Sequence, residues 1–209
     1  MLANIITDLT DRLEEYSAAW WFLLVILTIA LLDSIVPVVP SETMVIIGGV
    51  AAGQGNQSIA IVILAGAVGA FIGDNIAYFI GRTFSRRVDR WADAKPSRRS
   101  RLDSAAYQIH LRGGLLLITA RFIPGGRTIL TVSSGLTHQP WPWFAKWIAI
   151  ATTIWASYAA LLGYFFGQAF EDNHAIAFWL AFGAALSVTG MIELVRWFRH
   201  RGERGESTV

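Results

Sequence analysis

The chain reads as long apolar runs broken by short polar or proline-containing stops. In residues 1–17, Leu2, Ile5, Ile6, Leu9 and Leu13 share one helical stripe, and Asp8, Asp11, Arg12, Glu14 and Glu15 lie largely off it. That predicts an amphipathic helix on a membrane surface, or simply a leader into the first span. The basic start and small-residue cleavage site of a signal peptide are not evident. A first span is expected from about Ala18 to Val36, with Trp20 and Trp21 at its near interface. Pro37 and Pro40 break it, and the next apolar stretch, 43–53, has only eleven residues. Such a stretch makes about 16 Å of helix, too short for a hydrocarbon core of about 30 Å. A turn over Gly53–Ser58 follows, so 37–58 reads as a re-entrant hairpin. Irregular backbone at that depth survives only inside protein or beside a wet cavity.

Ile59 to Gly81 is a full span containing Asp74, and Gly69 and Gly73 form a GxxxG pair for close helix packing. Residues 82–112 are polar and basic, with a helix expected over 97–111. Then Leu115–Ala120 is apolar, Arg121-Phe122-Ile123-Pro124-Gly125-Gly126-Arg127 interrupts, and a second apolar run follows. Neither arm is long enough to cross, so 113–137 reads as a second re-entrant hairpin. Pro140–Trp143 suits an interfacial corner, and Trp141–Phe170 is a long span with Gly163 and Gly167 as another GxxxG. A tight loop at 171–174 leads to a last span over Ala175–Phe198 and a basic tail at 199–209. The domain reading is therefore an N-terminal helix at 1–17 and a core at 18–170. Within the core, repeat 1 is about 37–84, a cytoplasmic loop is 85–112 and repeat 2 is about 113–170. The last span, 171–198, and the tail complete the chain.

Composition agrees with this solvent. The 209 residues are 54% hydrophobic and only 15% charged, with mean hydropathy +0.48, whereas soluble domains carry about 25% charged residues. A soluble enzyme, a disordered chain and a nucleic-acid-binding module are all disfavoured. The absence of cysteine excludes disulfides and thiolate sites. Of seventeen Lys and Arg, nine fall in 82–112 and four in 196–209. Beside apolar helices, such clusters mark cytoplasmic segments.

Two segments match at four of seven letters, 86 residues apart: Tyr78–Phe84 and Tyr164–Phe170. Each closes a long span that follows a proline-broken hairpin, at Pro40 and Pro124. Glu42-Thr43-Met44 likewise parallels Arg127-Thr128-Ile129. With the basic loop and tail both cytoplasmic, the two units run in opposite directions across the membrane. The expected fold is an all-α integral membrane protein, an inverted repeat with two re-entrant hairpins facing each other near the bilayer midplane. About four spanning helices accompany them, and both termini are cytoplasmic. Transporters recurrently use this plan.

Asp33, Glu42, Asp74, Arg121 and Arg127 all lie in apolar surroundings. At a helix centre each costs about 2.5–3.5 kcal/mol, together roughly the stability of a whole fold. They must pair or line a wet cavity. Two readings stay open: salt bridges that only fix the hairpins, or a site for an ion or anionic substrate. Arginine forks bind phosphate or carboxylate, and Gly125 and Gly126 let backbone N–H groups approach an anion. The carboxylates Asp33, Glu42 and Asp74 are candidate proton carriers. His110, His138, His174 and His200 show no metal-ligand spacing, and no Ser-His-Asp order, HExxH or P-loop is present. No enzyme activity, cofactor, metal or nucleic-acid partner is expected. The GxxxG pairs permit a homodimer but serve internal packing equally well.

Three motifs in order resemble the DedA family, the bacterial branch of the VTT-domain proteins: Asp33-x-x-x-Pro37-x-x-Pro40-Ser41-Glu42, Gly73-Asp74-x-x-x-Tyr78-x-x-Gly81-Arg82, and Arg121–Arg127. The resemblance covers roughly residues 18–170. It implies two facing re-entrant hairpins and lipid transport, with bacterial members recycling polyprenyl phosphate carriers across the cytoplasmic membrane with a link to proton motive force. It also implies required roles for Asp33, Glu42, Arg121 and Arg127. The chain departs from the pattern where many relatives have Glu at the position of Asp33, and where others have Gly-Asp for Ser41-Glu42. The alternatives are a phospholipid scramblase without ion coupling and a proton-coupled carrier of small solutes.

Overall fold

The computed structural model describes residues 19–36, 41–123 and 125–169, with Leu180 and Gly183. Among these the elements are all helical: α1 (Trp21–Ile35), α2 (Ser41–Gly53), α3 (Ile59–Asp93), α4 (Pro96–Thr119), a 3-10 turn (Ala120–Phe122), α5 (Gly126–Leu136) and α6 (Trp141–Ala169). The expected surface helix at 1–17, the last span and the basic tail lie outside the described residues. α3 and α6 are long and apolar enough to cross a membrane, while α1 and α2 are shorter apolar helices of 15 and 13 residues.

One expectation changes. The polar stretch after Gly81 begins as a continuation of the helix. α3 continues unbroken to Asp93, and α4 begins at Pro96, next to the extended cap Lys95. Residues 82–93 contain no glycine or proline, so nothing stops the helix when its surroundings become polar. Pro96 starts α4 because a first-turn proline forgoes no intrahelical hydrogen bond. The helix expected over 97–111 is the first part of α4, which runs on to Thr119.

Small residues set the packing. Cβ atoms added at Gly69 and Gly73 would stand 2.2 and 2.4 Å from the carbonyls of Leu27 and Leu31, so α3 lies directly against α1. The same close approach occurs twice more. Gly81 abuts Val132 O and Gly135 abuts Tyr78 O, joining α3 to α5. Gly167 abuts Val50 O and Gly53 abuts Tyr164 O, joining α6 to α2. Each long helix thus docks its Tyr-x-x-Gly on the short helix of the other unit. Both GxxxG pairs are occupied inside the molecule, which removes their support for a homodimer.

Directions follow from the same contacts. Gly66 faces Ala156, and Tyr78 stacks on Phe144 with ring centroids 4.6 Å apart, so α3 and α6 run antiparallel. Gly48 meets Val62 while Gly66 meets Val45, so α2 and α3 are also antiparallel. The interior between α1, α2, α3 and α6 is largely alanine, valine and isoleucine, with Phe22 and Trp155. The outside carries Leu24, Leu64, Phe79, Ile154, Leu161 and Phe165, all exposed. Large apolar side chains outside and small ones inside fit a chain solvated by lipid.

Candidate functional site

Both breaks in the helical order deliver their charges to the middles of the two long helices. The 3-10 turn after α4 carries Arg121, whose Nη1 donates to Asp74 Oδ2 on α3 at 2.6 Å, with side chains 1% and 0% exposed. The Arg121 guanidinium also lies over the Trp155 ring of α6, 5.2 Å from its centroid. Burial of an arginine is tolerable only with such partners, a carboxylate and an aromatic face. Arg121 Nε and Nη2 are buried with no hydrogen-bond partner among the described residues. These two nitrogens share one edge of the planar fork.

Arg127 sits in the first turn of α5. Its Nη2 donates to the Asp33 carbonyl, its Nη1 lies 3.3 Å from Asp33 Oδ2, and its Nε lies 3.8 Å from Asp74 Oδ1. It therefore ties the end of α1 to the middle of α3. The Ser41 hydroxyl at the start of α2 donates to Asp33 Oδ2 in a short bond of 2.5 Å. Glu42, half-buried beside it, is close enough to Asp33 and Tyr158 to act on both electrostatically. Asp33, Glu42, Asp74, Arg121 and Arg127 thus form one cluster, drawn from α1, α2, α3, the 3-10 turn and α5.

Gly125 caps α5 with φ of 71°, a left-handed conformation that favours glycine. Gly126 departs from its expected use, since its N–H donates to Ile123 O at 3.0 Å and closes the turn. Its amide shapes the break and is not directed at an anion. Two residues around the cluster, Ser41 and Trp155, carry no charge and were not among the candidate site residues. Ser41 entered only as a letter of the first motif. The mid-span place of Trp155 is a signal that could have found it, because tryptophan concentrates at interfaces.

Taken together these features define an all-helical membrane protein with a nearly dry Asp–Arg cluster where two broken helices meet two long ones. The VTT domain matches residues 36–165, and the chain belongs to the DedA family of VTT-domain membrane proteins. It is 25% identical to Protein DedA of Escherichia coli (strain K12) over 202 residues, covering 93% of this chain and 91% of that one. It is 26% identical over 202 residues to an uncharacterized membrane protein of Synechocystis sp., covering 95% and 92%. Undecaprenyl phosphate transporter A of Bacillus subtilis (strain 168) is 25% identical over 143 residues, covering 68% and 72%. No solved structure matches the chain.

Proposed function

We propose that this protein carries polyprenyl phosphate across the cytoplasmic membrane by alternating access, coupled to protons. In this reading the α1–α2 and α4–α5 breaks are re-entrant hairpins entering from opposite sides, and both termini are cytoplasmic. The antiparallel course of α3 and α6 supports the inversion. The lipid phosphate binds Arg121 and Arg127 while its tail stays in the bilayer.

The observation that carries the reading is the free edge of Arg121. A buried donor without an acceptor costs about 1–3 kcal/mol. Two on one edge match a bidentate acceptor such as phosphate. Carboxylate is already supplied by Asp74 on the remaining nitrogen. The relative named for undecaprenyl phosphate transport supports the same substrate class.

Charge balance supplies the coupling. The five residues carry three acids against two bases, so a phosphate entering the fully ionised cluster meets a net negative charge. Protonation of Glu42 or Asp33 relieves this, and protonation of Asp33 also weakens the hold of its carboxylate on Arg127. Binding therefore takes up a proton, and losing it favours release or reorientation. Asp74 holds Arg121 in place or passes the proton on.

The test is reconstitution of the purified protein in liposomes, following polyprenyl phosphate accessible from one leaflet with and without a pH gradient. Gradient-sensitive transport, lost in both Arg127→Ala and Glu42→Gln, is expected. Transport indifferent to the gradient would instead make the protein a scramblase. Equal movement with and without protein would reject lipid transport and leave the cluster as structural pairs.

A further inference from the structure

A cleft of about 460 Å³ lies along α3, lined by Arg82, Thr83, Ser85, Arg86 and His138. It is distinct from the buried cluster, since Arg82 lies about 12 Å beyond Asp74 along the helix. Arg82 and Arg86 are four residues apart on one helix, a spacing at which like charges repel. Neither meets a carboxylate at ion-pair distance among the described residues. The acid one turn on, Asp89, is held by His138 at 2.8 Å and faces Arg99 at 3.6 Å. His138 reaches it from just beyond α5 with φ of 57°, a left-handed conformation uncommon outside glycine. The hydroxyls of Thr83 and Ser85 donate to the helix carbonyls of Phe79 and Arg82. Arg82 and Arg86 are thus the permanently charged donors among the residues that line the cleft.

The surroundings indicate what would meet them. Phe79, Ile80 and Phe84, each within one turn of Arg82 on α3, and Trp141, stacked on Phe79, are exposed where the apolar surface of α3 gives way to its charged extension. We propose that Arg82 and Arg86, walled by His138, form a second anion site that takes a phosphate monoester group at the membrane surface. The two guanidinium groups grip its oxygens through charge-assisted hydrogen bonds, the geometry for which arginine is favoured at phosphate sites. The site stands on its own residues and does not depend on transport through Arg121 and Arg127.

Arginine modification by phenylglyoxal, mapped by peptide mass spectrometry, tests this on the full-length protein in nanodiscs. One arm uses phosphatidylcholine with phosphatidic acid. A second uses phosphatidylcholine with inorganic phosphate in solution, and a third uses phosphatidylcholine alone. With the phosphate group at about ten times its dissociation constant, modification of Arg82 and Arg86 is expected to slow about tenfold. Arg101, exposed on α4, serves as the internal control and should change far less. Protection by phosphatidic acid alone assigns the site to a lipid headgroup. Protection by inorganic phosphate as well assigns it to the free anion too. Unchanged rates at Arg82 and Arg86 in both arms, or equal slowing at Arg101, would overturn the proposal.

Discussion

Two groups of Asp and Arg make similar contacts in opposite surroundings. On the extensions of α3 and α4, Arg99 lies 3.1 Å from Asp103, 3.3 Å from Asp93 and 3.6 Å from Asp89, and its side chain is 45% exposed. In the core, Arg121 meets one carboxylate, Asp74, with both side chains essentially sealed from solvent. The exposed arginine has more partners and matters less. Water already solvates its charges, and each contact only replaces good solvation. In the core no such replacement exists, so each partner is what makes the other tolerable. Burial, not the number of ion pairs, ranks these residues.

The largest effect should follow from breaking the sealed pair. Asp74→Ala leaves Arg121 buried with all its nitrogens unpaired, and a loss of about 3–5 kcal/mol is expected. Denaturant unfolding of the purified protein in detergent measures it. The double replacement Asp74→Leu with Arg121→Met sharpens the comparison, because apolar substitutes of similar volume are often neutral or stabilising. That variant should recover most of the stability and still transport no lipid. Full transport by it would reduce the pair to a fastening.

A smaller loss is expected for Asp33→Asn. Its side chain is 15% exposed, and it accepts from Ser41 and Arg127. Losing charge-assisted hydrogen bonds of this kind costs about 1.5–3 kcal/mol. The same unfolding assay should place it between Asp74→Ala and any change at Arg99. An Asp33→Asn deficit as large as that of Asp74→Ala would break the ranking by burial.

The glycine contacts should show a comparable or smaller effect. A Cβ at Gly135 would stand 2.1 Å from Tyr78 O, and one at Gly53 would stand 2.3 Å from Tyr164 O. Overpacking of this kind costs about 1–3 kcal/mol. Gly135→Ala and Gly53→Ala should lose similar amounts if the two docking contacts are equivalent. A large disparity in unfolding midpoints would show that one unit carries the packing and the other only resembles it.

Sequence revealed which charges belong to the cluster and concealed how they pair. Asp33, Asp74, Arg121 and Arg127 stood out because an ionised side chain inside an apolar run has no cheap place to go. Their partners did not, because Asp33 meets Arg127 across 94 positions and Asp74 meets Arg121 across 47. Only the packing of α1 on α3 and of α3 on α5 brings these together. Helix lengths were legible only in part. Hydropathy falls after Gly81, yet α3 runs to Asp93. Apolar runs report where the surroundings change, and backbone propensity decides where the helix stops. Ser41 and Trp155 were hidden because a hydroxyl beside proline and an aromatic in a span each have a commoner use.

The smallest effect is expected for Arg99→Ala, and salt makes it the decisive control. Asp103, first by its hydrogen bond and then by its charge, holds the Arg99 guanidinium above its ordinary pKa. Arginine is charged at neutral pH with or without that help, so the neighbours adjust a charge they do not create. At low salt the variant should unfold close to the wild-type midpoint. At about 1 M salt, where the screening length shrinks to about 3 Å, any remaining difference should vanish. The Asp74→Ala deficit should persist in the same salt, because buried pairs are screened much less. Salt that erased both would mean that water and ions reach Asp74 and Arg121. The free edge of Arg121 would then be a solvated group, and a phosphate held there would relieve no buried, unsatisfied donor.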